Sequence, residues 1–264
     1  MIEFITHNFA PIMFAALVFF LLLGFPVSFA LAANGLFFAF IGIELDLLNF
    51  ELLQALPNRI FGIVSNDTLL AIPFFTFMGL ILERSGMAED LLDTIGQLFG
   101  PIRGGLAYAV IFVGALLAAT TGVVAASVIS MGLISLPIML RYNYDRRLAS
   151  GVIAASGTLA QIIPPSLVLI VLADQLRIAG QISVGDMYEG AIVPGLVLTA
   201  MYAFYIFLTT IIWPSRAPAL PPEARTLRGM QLLKRSVFSL VPPLVLIFLV
   251  LGTIFIGLAT PTEG

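Results

Sequence analysis

The sequence predicts an all-α, polytopic transmembrane protein, and both its composition and the placement of its charges support this. Of the 264 residues, 60% are hydrophobic and 10% are charged, whereas an average soluble chain has about 25% charged residues. Mean hydropathy is +1.09. A soluble globule cannot bury so much continuous apolar helix. About 20 such residues are enough to span a bilayer. The runs without Asp, Glu, Lys or Arg are 4–43, 68–82, 104–140, 148–173, 190–215 and 236–262.

The same composition argues against several classes of function. The net charge of −3 argues against a general nucleic-acid-binding surface. The absence of cysteine excludes disulfides, thiolate metal sites and iron–sulfur clusters. His7 is the only histidine and lies at the extreme N-terminus, so bis-histidine haem lacks a second ligand and Ser/His catalysis is not expected. We therefore expect neither an enzyme nor a bound cofactor.

The first run, 4–43, is about twice as long as one membrane span. Gly24-Phe25-Pro26 interrupts it, which predicts two helices, over 5–23 and 26–43. Farther along, Asn66-Asp67-Thr68 precedes the apolar run 68–82 and is predicted to be a helix N-cap, with a binding site as the alternative.

Two less apolar stretches, 86–99 and 222–237, have the spacing of amphipathic helices. In the first, apolar residues from Met87 to Phe99 recur at helical intervals between acids, with Ser85 as a candidate cap. In the second, a stripe from Leu227 to Val237 is flanked by arginine and lysine. Both are predicted to lie along the membrane surface. Solvated loops with chance spacing are the alternative.

Positive residues in short loops mark the cytoplasmic side of a membrane protein. The loops 141–147 and 216–235 are rich in arginine, whereas 174–189 is mainly acidic. This pattern predicts that the spans 148–173 and 190–215 lead out of the cytoplasm and back.

The run 104–140 lies between Arg103 and Arg141, and as one helix its 37 residues would measure about 55 Å. That is too long for one span and short for two spans with a turn. A re-entrant hairpin on the cytoplasmic side fits this length and the small and hydroxyl residues of its middle, 118–127. Two short packed helices remain the alternative, with small residues that only allow close contact.

The span 148–173 contains Pro164-Pro165, which removes two backbone donors and predicts a broken helix. Freed carbonyls in a bilayer need partners. Hydroxyl and carbonyl oxygens suit Na⁺, and the N-terminus of a half-helix suits a carboxylate. The alternative is a proline kink satisfied by neighbouring helices and water. Further polar side chains in this region belong to Ser156, Thr158, Gln161 and Ser166.

Several motifs in this order resemble the large membrane subunit of tripartite ATP-independent periplasmic (TRAP) transporters, the DctM-like family. The most specific is SGTLAQIIPPS over 156–166. The others are GFPVS at 24–28, AIPFF at 71–75, ATTGVVAASV at 119–128, MGLISLP at 131–137, RYNYD at 141–145 and GLATPTE at 257–263.

The resemblance implies a Na⁺-coupled importer of organic acids such as C4-dicarboxylates, in the bacterial inner membrane. Its partners would be a small four-helix membrane subunit and a periplasmic solute-binding protein. The implied fold is of the elevator type with inverted repeats. The resemblance places Na⁺ at Thr120, Thr121, Ser156, Gly157 and Thr158, and Na⁺ or substrate also at Gly122, Ser127, Pro164, Pro165, Thr260, Pro261 and Thr262.

Members of this family are much longer, so the chain is expected to contain the first repeat and the start of a truncated second one. A non-transporting membrane fragment and an ion or solute channel are the alternative functions. The predicted division is 1–103 for scaffold spans and an interfacial helix, 104–176 for the hairpin and broken helix, 177–235 for a returning span and basic amphipathic linker, and 236–264 for the second repeat.

Overall fold

A computed structural model describes residues 6–177, 182–225, 227 and 229–260, and every regular element among them is helical. This confirms the predicted all-α class. The α-helices are α1 (Phe9–Leu22), α2 (Val27–Glu44), α3 (Glu51–Gln54), α4 (Leu56–Val64), α5 (Asp67–Arg84), α6 (Met87–Phe99), α7 (Gly105–Thr121), α8 (Val124–Arg141), α9 (Arg146–Thr158), α10 (Leu167–Arg177), α11 (Val184–Ile212) and α12 (Gly229–Phe255). Short 3₁₀ turns cover Leu159–Gln161, Pro214–Arg216 and Pro222–Ala224.

In this part of the chain, α2, α11 and α12 are long and apolar enough to cross a membrane. Helices of 29 and 27 residues, as in α11 and α12, measure about 40 Å, more than the ~30 Å hydrocarbon core. Large apolar side chains point outward on both, such as Phe204 at 59% exposure and Phe248 at 75%. These exposed faces suit lipid, so the predicted polytopic membrane protein is confirmed.

Residues Met1–Ser65 form one compact unit, which contains α1 to α4. The predicted interruption at Gly24 is confirmed, because α1 ends at Leu22 and α2 begins at Val27. Gly24 has φ of 80°, a left-handed conformation that favours glycine. The two helices pack through the edge-to-face rings of Phe9 and Phe38, whose centroids are 5.5 Å apart.

Residues Asn66–Gly264 form the second unit, built around α7 and α8. The N-cap predicted within Asn66-Asp67-Thr68 is confirmed and is Asn66, since its side chain accepts a hydrogen bond from the Thr68 amide at 3.0 Å. The Asn66 amide group also donates to the Asp174 carboxylate at 2.6 Å. This bond joins the start of α5 to the last turns of α10.

The predicted amphipathic helix over 86–99 is observed as α6, which begins after Gly86. Ser85 is not its N-cap residue, although its hydroxyl accepts a hydrogen bond from the Met87 amide at 3.3 Å. The apolar stripe does not face lipid. Leu91 and Ile95 are each 1% exposed and belong to the core cluster that also contains α7.

The predicted amphipathic helix over 222–237 is wrong as a separate element. Pro222–Ala224 is a 3₁₀ turn, and α12 begins at Gly229 and continues to Phe255. The basic residues are therefore the first turns of a long apolar helix. The change from charged to apolar sequence after Arg235 predicted a helix boundary there. Long basic side chains can, however, extend their charged groups to polar surroundings from the end of a membrane span, so the helix need not end.

Candidate functional site

The helices α7 and α8 form a hairpin whose two open ends meet. The Leu106 amide, at the start of α7, donates to the Tyr144 hydroxyl just after α8, at 3.2 Å. The loop after α11 joins both ends, because the Gly104 and Asp145 amides donate to the carbonyls of Ala217 and Arg216, each at 2.9 Å. The two arginine-rich loops therefore lie together at the base of the hairpin, which fits both a re-entrant segment and two short packed helices.

The tip of the hairpin is a break of two residues between α7 and α8. Gly122 has φ of 60°, and Val123 is extended. A Cβ atom on Gly122 would lie 3.3 Å from Leu167 Cγ and 3.4 Å from the Pro165 carbonyl oxygen. The tip of the hairpin is thus in direct contact with the region of Pro164-Pro165.

The predicted break in the span 148–173 is confirmed between the end of α9 at Thr158 and the start of α10 at Leu167. Pro165 has no N–H, so the Gln161 carbonyl loses the donor that a continuous helix would supply. The buried Ser166 hydroxyl replaces this donor, at 2.7 Å from the Gln161 carbonyl oxygen. The Ser166 side chain therefore satisfies a backbone carbonyl that the break in the helix leaves without its usual donor.

The last turn of α9 lies between the two arms of the hairpin. Ser156 is 0% exposed, donates to the Ile153 carbonyl at 3.0 Å and packs on Gly114 of α7. A Cβ atom on Gly157 would lie 3.1 Å from the Cα and N atoms of Val128 in α8. Two adjacent residues of α9 thus fix both arms around it.

The other predicted site residues are distributed unevenly. Thr158 is exposed and donates to the Ala155 carbonyl at 2.7 Å, Ser127 is buried in α8, and Pro164 and Pro165 are buried in the break. Thr260 is exposed beyond the end of α12. The structure describes only the backbone of Thr120 and Thr121, and Pro261 and Thr262 lie outside the described residues.

Three residues of this region were not singled out by the sequence. Gly114 and Val128 receive the end of α9, and Gly195 of α11 would place a Cβ atom 3.3 Å from Ile163 Cγ1. Small residues within apolar helices permit close approach of backbones. That signal pointed to close packing, but it did not identify the partner.

Four helix ends meet at this place. The C-terminal ends of α7 and α9 supply carbonyl groups, and the N-terminal ends of α8 and α10 supply amide groups. Val124, the first residue of α8, packs on the buried pair Leu159 and Ala160 of the break. Helix C-termini favour cations and N-termini favour anions. The arrangement therefore brings helix ends of opposite partial charge together.

Comparison of the sequence with known proteins finds relatives among transporter permeases. A C4-dicarboxylate TRAP transporter large permease protein of Vibrio cholerae is 30% identical over 255 residues, 96% of this chain and 52% of the relative. The protein of the same name in Rhodobacter capsulatus is 31% identical, over 97% of this chain and 57% of the relative. The protein of the same name in Pseudomonas aeruginosa is 32% identical, over 80% of this chain and 47% of the relative.

The chain spans about half the length of these curated relatives. Its apolar helices and its relatives identify it as a multi-pass protein of the bacterial inner membrane. The family model for the DctM component of the tripartite ATP-independent periplasmic transporter matches residues 14–264. The chain therefore belongs to the DctM family of TRAP transporter large permeases.

Proposed function

We propose that this chain belongs to a Na⁺-coupled secondary transporter that imports organic acids, C4-dicarboxylates or related carboxylates. A periplasmic binding protein would deliver the substrate, and a small four-helix membrane subunit would support the permease. The observation that carries the proposal is the contact between two interrupted helical segments, at Gly122 and at Pro165. Interrupted segments that meet within apolar helices are typical of the ion and substrate sites of transporters.

Na⁺ would bind to oxygen atoms at the ends of α7 and α9. The hydroxyls of Ser156 and Thr158 each donate to a carbonyl one turn earlier, so their oxygen lone pairs stay available to a cation. Carbonyl oxygens of the unwound backbone would complete the coordination. Thr120 and Thr121 remain predicted ligands from the hairpin tip.

Coupling follows from the cost of organising an unwound backbone. Na⁺ would hold the ends of α7 and α9 in place, and this would fix the N-terminal ends of α8 and α10 where a substrate carboxylate binds. Substrate affinity would then depend on Na⁺. The site would move a solute rather than transform it, because its groups are hydroxyls and backbone dipoles and not paired nucleophiles and bases.

The ion site can be tested by isothermal titration calorimetry, in which Na⁺ is titrated into the purified chain. We expect Ser156→Ala to weaken Na⁺ binding about tenfold, as the loss of one oxygen ligand of a charged group. Ser150→Ala is the matched control, because the Ser150 hydroxyl also bonds back to helical carbonyls of α9 but lies away from the break. Equal effects of the two variants on Na⁺ affinity would contradict the proposed ion site.

Transport itself can be tested in proteoliposomes that contain the chain with its binding protein and small subunit. A coupled carrier gives saturable uptake of a C4-dicarboxylate that requires both Na⁺ and the binding protein. Conductance without the binding protein would favour a channel. Na⁺ binding without any uptake would favour a membrane fragment that needs a further segment for transport.

A further inference from the structure

A cavity of about 620 Å³ lies beside the base of the hairpin, between α9 and α11. Its walls are mainly aliphatic and aromatic side chains, including Val152, Leu198 and Tyr202. Gly151 and Ala155 of α9 also line it, and a Cβ atom on Gly151 would meet nothing within 4 Å. The small residues thus leave an open apolar groove along one face of α9.

The mouth of this groove is basic. Arg147 and Arg216 line it together with Asp145. The Asp145 carboxylate already accepts hydrogen bonds from the amides of Arg147 and Leu148, at 3.0 and 3.1 Å, as the N-cap of α9. Among the described residues, the ion pairs that form within 4.0 Å involve Arg235, so neither arginine at the mouth is neutralised by an ion pair there.

Aromatic residues mark the same end of the groove. The Arg216 guanidinium carbon lies 4.4 Å from the centre of the Trp213 ring, which holds the arginine beside the end of α11. Trp213 and Tyr205 are 46% and 59% exposed. Tryptophan and tyrosine at the end of an apolar helix are typical of the level of lipid headgroups.

We propose that this groove binds one anionic glycerophospholipid. Its phosphate would lie between Arg147 and Arg216, and one acyl chain would follow Gly151 and Ala155 towards Leu198. The charge of the mouth matches a phosphate, and the apolar walls match a hydrocarbon chain rather than a soluble anion. Basic pockets between membrane helices on the cytoplasmic side are suited to anionic lipids.

The proposal can be tested by native mass spectrometry of the purified chain, titrated with phosphatidylglycerol or with phosphatidylethanolamine of the same acyl chains. We expect the chain to prefer phosphatidylglycerol. The double variant Arg147→Gln/Arg216→Gln should bind it about 25-fold more weakly, or about fivefold for each arginine. The matched control is Arg141→Gln/Arg146→Gln, which removes two exposed arginines of the same loop that do not line the groove.

A second pair of variants tests the acyl chain. Gly151→Leu fills the groove, and we expect it to weaken binding of both lipids at least fivefold. Gly132→Leu is its control, because a Cβ atom on Gly132 in α8 also meets open space but lies outside the groove. Monodisperse elution of each variant shows that it is folded.

Three results would overturn the proposal. The first is equal affinity of the chain for the two lipids, and the second is an equal loss of affinity in the test and control variants. The third is displacement of phosphatidylglycerol by millimolar glycerol phosphate, which would show a site for a soluble phosphate. Failure of Na⁺ binding or of uptake has no bearing on these measurements.

Discussion

Two proline pairs lie within apolar stretches of this chain, and their helices respond differently. At Pro164-Pro165 the helix ends at Thr158 and resumes at Leu167. At Pro242-Pro243 the helix continues through the pair from Gly229 to Phe255. Each proline removes a backbone donor in the same way, so the local chemistry of the pair does not decide whether a helix breaks.

The surroundings of the two pairs account for the difference. Both Pro164 and Pro165 are buried, and Pro165 is next to the hairpin tip, while Ser166 supplies a replacement donor. Pro242 is exposed and Pro243 is buried, and only leucine, valine, isoleucine and phenylalanine follow this pair for two turns, without a nearby hydroxyl donor among them. An unwound backbone is tolerated in a membrane where protein encloses it and satisfies its polar groups. Contacts with the surrounding protein therefore maintain the break at Pro164-Pro165.

The largest expected effect comes from replacing the prolines themselves. Pro242→Ala/Pro243→Ala should stabilise the chain by about 3 kcal/mol, because alanine restores donors within a helix that is already formed. Pro164→Ala/Pro165→Ala should give no such gain, because its residues are not helical. The measurement is the free energy of unfolding in mixed detergent micelles. Equal gains for the two variants would show that the first break is not maintained by its contacts.

A smaller effect is expected from the contact between α9 and α8. Gly157→Ala should destabilise the chain by about 2 kcal/mol, because the new Cβ atom would lie 3.1 Å from the Val128 backbone. The matched control is Gly252→Ala in α12, where a Cβ atom meets nothing within 4 Å. Alanine there should stabilise the helix by up to about 1 kcal/mol. Thermal unfolding followed by circular dichroism compares the two, and no loss in Gly157→Ala would contradict close packing.

The sequence predicted those features that depend on chain length and on residue type. The 37-residue run 104–140 predicted either a re-entrant hairpin or two short packed helices, and the pair α7 and α8 agrees with both. Pro164-Pro165 predicted the broken helix. The separate helix over 222–237 was wrong, because Arg235 lies within α12 and forms an ion pair with α6. A break in the charge pattern cannot reveal such a partner.

The candidate site was predicted less completely than the fold. The sequence indicated the polar residues of the site. It did not indicate the role of Gly114 and Gly195, because these glycines contact Ser156 and Ile163, which are distant in the sequence. Ser166 was expected as one polar group among several, and only the structure pairs it with the Gln161 carbonyl. The contacts of the two glycines depend on the tertiary fold, and the bond of Ser166 depends on the local conformation of the break; residue spacing specifies neither.

Ser166 offers a further test of how the break is satisfied. Ser166→Ala should destabilise the chain by about 1–2 kcal/mol, because the Gln161 carbonyl then loses its donor in a buried place. Ser236→Ala in α12 is the control. The Ser236 hydroxyl is buried and has no hydrogen-bond partner in the described part of the chain, so its removal should be neutral or stabilising. Denaturant titration distinguishes the variants, and equal changes in unfolding free energy would contradict the role of Ser166.

The smallest expected effect concerns the polar contacts at the start of the uninterrupted helix. Arg235 of α12 lies 2.7 Å from an Asp90 carboxylate oxygen of α6, and the Ser239 hydroxyl donates to the other oxygen at 2.8 Å. The hydrogen bonds from Arg235 and then Ser239 lower the pKa of Asp90 below its ordinary value of 3.8. Because the side chains of Arg235 and Asp90 are 41% and 50% exposed, Asp90→Asn should destabilise the chain by less than about 1 kcal/mol.

The pH dependence identifies this contribution. A lowered pKa means that the folded chain favours the ionised carboxylate, so the stabilisation is present above pH 3.8 and disappears as the pH falls through the lower folded value. The stability difference between the wild type and Asp90→Asn should therefore be constant near neutral pH and vanish in acid. A difference between Asp90→Asn and the wild type that persists unchanged in acid would mean that α6 holds α12 through packing rather than through charge.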